Sequence, residues 1–182
     1  MKADSHIAAY IDGANLHKGI QSLGWHLDYA RFRAWLTHRF GVGQAYLFIG
    51  MIPRHKDLYT YLAECGFVLV YKEVVYDGEG KAKGNCDADL IVRVMEDAYG
   101  SALREAIIVT SDGDYAPLVM FLKRRNQLRA LVSPSPTQRC SVLLKRTGAR
   151  IAYLGDKKAL LSADMKRPPA GTHPRKGPFR SE

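Results

Sequence analysis

The sequence predicts a three-layer α/β/α domain with a mainly parallel central sheet, and two observations carry that expectation. Six short apolar runs have strand length and β-branched or aromatic content, and stretches of helical periodicity separate most of them. Alternation of this kind calls for parallel strands joined by right-handed crossovers, with helices on both faces. A length of 182 residues suits one such domain plus a tail, and is enough to bury an apolar core without disulfides or structural metals.

The first strand is HIAAYI at 6–11, followed by a helix starting near Ala14. Asp28 is placed to cap a second helix, in which Phe32, Trp35, Leu36 and Phe40 recur at spacings of three and four. Gly41-Val42-Gly43 then makes a turn into the strand QAYLFIG at 44–50. A helix after Pro53 carries Leu58, Tyr61, Leu62 and Cys65, and FVLVYKEVVY at 67–76 reads as a third strand. Asp-Gly-Glu-Gly at 77–80 is a turn signal, so 67–83 is expected to leave the sheet as a hairpin or extended arm. The next helix starts near Asp87 with Ala88, Ile91, Val92, Met95 and Tyr99 as its apolar stripe. EAIIVT at 105–110, LRALV at 128–132 and RIAYL at 150–154 complete the strands, with helices starting near Asp114 and Thr137. Tyr10, Tyr46 and Tyr71, all in strands, are expected in the core. The folded domain is placed at 1–161. Residues 162–182, with Pro168, Pro169, Pro174 and Pro178 among basic residues, are expected to form a flexible basic tail.

Composition narrows the function. A formal net charge of +9 favours a polyanionic partner, nucleic acid ahead of a membrane surface. Cys65, Cys86 and Cys140 are far apart and odd in number, which indicates neither a disulfide framework nor a zinc knuckle and fits a reducing cytoplasm. No basic region with a long apolar core begins the chain, and no run approaches the roughly 20 apolar residues of a membrane span. The expected protein is therefore soluble and cytoplasmic. No phosphate-loop or dinucleotide fingerprint is present. Of the six histidines only His17 follows a site motif, and it reads as a helix-face residue or substrate contact rather than one of the acid–base pair a metal-free ribonuclease needs. Ser133-Pro134-Ser135-Pro136-Thr137 is a loop without a nucleophile-and-base arrangement.

The acids are better placed. Ligands bind outside the carboxyl ends of parallel strands, where Asp12 follows the first strand and Asp112 and Asp114 follow EAIIVT, while Asp87 and Asp89 stand at a helix start. Each has a structural alternative as a cap or turn residue. Together, converging carboxylates repel one another unless a hard cation neutralises them, which points to Mg2+ or Mn2+. Such an ion lowers the pKa of a bound water and stabilises a phosphate under in-line attack. Helical residues two apart do not share a face, so Asp87 is chosen as the inner ligand and Asp89 as an outer member. Asp12, Asp87 and Asp112 are expected to converge within about 8 Å, close enough for direct or water-bridged binding.

Asp12-Gly13-Ala14-Asn15-Leu16, Lys83-Gly84-Asn85-Cys86-Asp87 and Thr110-Ser111-Asp112-Gly113-Asp114-Tyr115, with Pro117-Leu118, resemble the NYN domain in its bacterial DUF88 or LabA-like branch, over roughly residues 6–154. The resemblance implies a PIN-like, Rossmannoid fold and metal-dependent endonucleolytic cleavage of single-stranded or structured RNA, leaving a 5′-phosphate and a 3′-hydroxyl. It assigns Asp12, Asp87 and Asp112 as catalytic, metal-binding acids. Asn15 would orient Asp12 or a water, Asp114 would complete the outer shell, and Ser111 would add a hydroxyl. Lys83, Lys145 and Arg146 are the candidates for RNA phosphates. Two departures from the family pattern stand out: Arg93 occupies a place where relatives often carry another acid, and the spacing from the lysine to the acid is one residue longer than in many of them. A non-catalytic RNA-binding module and a metal phosphohydrolase for small metabolites are the alternatives, and a homodimer is left open.

Overall fold

The computed structural model describes residues 6–52, 55–73, 75–76, 82–83, 86–100 and 102–163. The turn expected at 77–80, Gly84 and Asn85, and all of the tail expected at 162–182 except its first two residues lie outside them. Six parallel strands form the central sheet: β1 (His6–Asp12), β2 (Gln44–Met51), β3 (Val68–Glu73), β6 (Leu103–Val109), β7 (Leu128–Ser133) and β8 (Ile151–Tyr153), in the order β3-β2-β1-β6-β7-β8. Two short strands, β4 (Val75–Tyr76) and β5 (Ala82–Lys83), pair antiparallel as a separate ribbon. The run expected as one strand at 67–76 is thus divided between the sheet and this ribbon.

Alternating residues along each strand feed two cores. Ala9 and Ile11 of β1 and Ile107 and Val109 of β6 face one layer, formed by α1 (Gly13–Ser22), α2 (Tyr29–Phe40), α3 (Lys56–Glu64) and α7 (Lys158–Leu161). Ala8, Tyr10, Ala106 and Ile108 face the other, formed by α4 (Asp87–Tyr99), α5 (Ala116–Arg124) and α6 (Val142–Arg146). The period-two pattern of strands buried on both faces explains why the central runs are continuously apolar.

Helix α2 starts where its cap places it: the Asp28 carboxylate accepts the Arg31 N–H at 2.9 Å, and Phe32, Trp35, Leu36 and Phe40 are all buried. Helix α4 differs from expectation. Leu90, Val94 and Ala98 are buried, whereas Ala88 is exposed and Val92 and Tyr99 are 55% and 65% exposed. The two candidate stripes differ by about one residue, and β1 and β6 take the one on which Leu90 stands. Tyr10 and Tyr46 are core residues as expected, but Tyr71 is 44% exposed, because β3 is the outer strand of the sheet. Helix α6 begins after Ser141, not at Thr137; residues 137–139 form a turn, and the Ser141 hydroxyl accepts the Leu143 N–H. Past Leu161 the chain stays paired, since Ala163 N–H donates to the His26 carbonyl and Leu27 bridges Ser162.

Candidate metal centre

Chain order and strand order diverge at one place. From β1 the chain moves outward to β2 and β3, then crosses through α4 to β6 on the other side of β1. The carboxyl ends of β1 and β6 therefore flank a topological switch point, the crevice where open α/β sheets bind ligands. Asp12 ends β1, Asp112 lies three residues past β6, and Asp87 begins the crossover helix.

Local structure fixes each acid. Asp12 caps α1, its Oδ1 accepting the Asn15 N–H at 3.0 Å. Gly13 lets the chain turn there, because a β-carbon on it would sit 2.6 Å from both the Phe48 carbonyl oxygen and Ile49 Cγ2. Asp112 initiates a 3-10 turn over Gly113–Tyr115, accepting the Asp114 N–H at 3.1 Å while its own N–H donates to Thr110 Oγ1. The Asn15 side-chain carbonyl accepts the Ser111 N–H at 2.8 Å, so the two strand ends are tied across the crevice.

One carboxylate oxygen from each of Asp87, Asp112 and Asp114 lies within 4.8 Å of the others. Asp12 is not a member of that group but stands behind it: the Tyr115 hydroxyl donates to Asp87 Oδ1 at 2.5 Å and lies 3.5 Å from Asp12 Oδ2. Asp12 is 7% exposed, and burial, with Asp87 and Asp112 nearby, pushes its carboxyl up to about 6 despite the stabilising Asn15 N–H. Burial and the surrounding acids push the Tyr115 hydroxyl far above its usual range, so it remains a donor at any ordinary pH. The Cys86 thiol, next to Asp87, is likewise pushed up to about 11, chiefly by burial. Among the described residues no lysine or arginine pairs with Asp12, Asp112 or Asp114. A set of clustered hard oxygen donors fits a divalent cation such as Mg2+ or Mn2+.

The other sequence candidates fall as follows. Asp89 points away and pairs with Lys72 Nζ at 2.9 Å, as expected of a residue two from Asp87 on a helix. The Ser111 hydroxyl faces inward, 3.2 Å from Ser133 Oγ and accepting the Ser135 N–H at 3.1 Å, so it braces a loop where a contact to the site had been expected. The Asn15 side chain likewise holds Ser111 and not Asp12. Arg93 pairs with Asp97 at 2.9 Å and donates to the Tyr46 hydroxyl. Lys145 and Arg146 are exposed on the last turn of α6. Lys83 belongs to β5, and its side chain lies outside the described residues. His17 is half-buried on α1, and burial lowers its imidazole pKa. Tyr115 was missed. It immediately follows Asp114 in the sequence, yet nothing in the spacing shows that a 3-10 turn would aim its hydroxyl between Asp12 and Asp87.

The sequence profile described as NYN domain matches residues 6–146. None of the curated proteins matches. A crystal structure of a protein of unknown function from Vibrio parahaemolyticus is similar in fold, with a TM-score of 0.69 at 21% identity over 88% of this chain and 98% of that one.

Proposed function

Because the chain belongs to the NYN domain family, we propose that it is a divalent-metal-dependent endoribonuclease, of the DUF88/LabA-like branch, that hydrolyses RNA phosphodiester bonds. The family is generally one of nucleases, and PIN-like nucleases usually use divalent metals. The observation that carries the reading is the grouping of Asp87, Asp112 and Asp114 oxygens within 4.8 Å at the switch point, with Asp12 buried beside them. Like charges held together at the carboxyl end of a parallel sheet repel one another and destabilise the metal-free fold, beyond what capping α1 and the 3-10 turn requires of Asp12 and Asp112.

Asp87, Asp112 and Asp114 would hold the ion, joined by Asp12, which with Asp87 and Asp112 is one of the three metal-binding acids the family resemblance implies. A bound cation supplies Lewis-acid stabilisation of the phosphate and a water of lowered pKa. The chain's own residues do the rest. Tyr115 keeps its proton and fixes the Asp87 carboxylate, the Asn15 N–H fixes Asp12, and the Asn15–Ser111 bond holds the two strand ends at constant separation. Lys145 and Arg146, with the basic residues beyond Ala163, take the flanking phosphates of a polyanion, in keeping with the net charge of +9. No described helix is long and apolar enough to cross a membrane, and the three cysteines are free, which supports action in a reducing cytoplasm.

The test is incubation of purified protein with labelled RNA in Mg2+, Mn2+ and EDTA. Cleavage in the presence of metal, its loss in EDTA and its loss in Asp12→Asn are the expected results. RNA held equally well in EDTA and Mg2+, with no product in either, would make the chain a binding module instead. Arg93, standing where relatives often carry a further acid, is the residue that favours that second reading.

A further inference from the structure

Helix α6 is only five residues long, yet it is held at both ends. At its start the Ser141 N–H donates to the Ser111 carbonyl at 3.1 Å. At its end the Thr147 carbonyl accepts Lys123 Nζ at 2.5 Å. Leu144 is fully buried beneath it. The helix packs directly on the turn that carries the site acids. A β-carbon on Gly113, the residue between Asp112 and Asp114, would overlap Ser141 Oγ and lie 3.1 Å from Leu143 Cδ1. Leu143 therefore borders the acidic group, and it is 48% exposed, with Val142 beside it 55% exposed.

An exposed leucine at the rim of an acidic site, with an exposed valine next to it in the helix, has no part in holding a cation and nothing to offer a phosphate. The pair does match the flat apolar face of a nucleobase. Arg146 lies three residues from Leu143 and four from Val142, so basic and apolar groups share the outward side of one helix. Resting on the RNA reading above, we infer that α6 is a nucleobase ledge for single-stranded RNA: Leu143 and Val142 pack against a base adjacent to the acidic site, and Lys145 and Arg146 meet the phosphates that follow. Only an unpaired strand can use it, because in a duplex the base faces are already stacked on one another.

The experiment compares wild type, Leu143→Ser and Leu143→Met on two ligands of equal length, an oligoadenylate and an abasic ribose-phosphate oligomer. Binding is measured by fluorescence anisotropy in EDTA, where the oligoadenylate stays intact, and its cleavage in Mg2+ is followed where it occurs. Leu143→Ser is expected to weaken oligoadenylate binding about fivefold, a modest loss suited to one aliphatic contact. It should raise KM with kcat nearly unchanged, leave affinity for the abasic oligomer as in wild type, and be rescued by Leu143→Met. Equal loss on both ligands, or no loss on either, overturns the ledge. So does a concentration-dependent wild-type dimer that Leu143→Ser dissociates without altering RNA affinity, since the apolar pair would then serve a second copy of the chain. If wild type cleaves no RNA, the nuclease reading fails, while the binding comparison still decides the ledge.

Discussion

Two of the acids on helix α4, Asp87 at its N-terminus and Asp97 near its C-terminus, are placed in very different surroundings. Asp97, near its C-terminus, accepts from the Tyr10 hydroxyl at 2.8 Å and pairs with Arg93, whose guanidinium also lies 4.4 Å from the centre of the Tyr46 ring. Asp87, at its N-terminus, stands among Asp112, Asp114 and the buried Asp12. Asp97 is balanced by a hydroxyl and a guanidinium; Asp87 receives the Tyr115 hydroxyl and stands among further carboxylates. The concentration of carboxylates at the switch point, against the paired acid at the other end of the same helix, is what supports the metal-binding reading proposed above.

The substitution that breaks the comparison most sharply is Asp112→Asn. Asparagine keeps the shape and the turn-forming ability of aspartate, but removes one charge from the group. Metal-dependent RNA cleavage should fall at least about 100-fold, the upper end of what is lost when a residue that merely orients a ligand is changed. The melting temperature without metal should barely move, and RNA binding should persist. Wild-type cleavage by this variant, in preparations free of contaminating nuclease, would assign Asp112 to the turn alone.

A second test uses pH. Asp12 is raised to about 6 in the folded state, above its value in the unfolded chain, so the fold takes up a proton there that the unfolded chain releases. Its contribution favours the metal-free fold below about pH 4 and is lost as pH rises through 6, an effect on the order of 2–3 kcal/mol. Asp12→Asn should remove that slope and raise the metal-free melting temperature at pH 7, since asparagine still caps α1. The same variant loses cleavage. A pH-independent difference between the two proteins would contradict the cause assigned to the shift.

The balanced end gives the smallest expected change, and only in stability. Asp97→Ala leaves the fully buried Tyr10 without its acceptor, which costs about 2 kcal/mol. For a chain of this length that is a fall in melting temperature of roughly 4–8 °C. Metal affinity, measured by calorimetry, should remain as in wild type. A loss of metal affinity would mean that α4 transmits changes from one end to the other, and that the two ends are not independent.

How far the sequence could be read follows the same division. The parallel sheet was legible because Ala8 to Ile11 and Ala106 to Val109 are apolar on both faces, and α2 because Asp28, Phe32 and Leu36 agree in cap and period. Helix α4 was misread by one position because it is apolar well beyond its buried face: Val92 and Tyr99 extend a plausible stripe that the sheet does not cover. The end-of-strand acids were legible as a group, but their arrangement was not. Asp114 joins the compact set because the 3-10 turn brings its carboxylate back beside Asp112, and Asp12 recedes because β1 carries it into the interior. Those are consequences of turn direction and depth, neither of which residue spacing encodes.

Asp12 serves two masters, and that divides the selective pressures on the site. It starts a helix as well as facing the crevice, and Asp112 likewise starts a turn, whereas Asp114 forms no side-chain cap. A lineage of this domain that abandoned chemistry would still be held by folding to Asp, Asn, Ser or Thr at position 12, and would be at liberty to drift at position 114. A mutational scan scored only for folded protein should therefore tolerate almost any polar residue at 114 and few at 12. On the proposed reading, an intact first aspartate in a relative of this chain says little about whether the site still works; the acid after the glycine is the one to inspect.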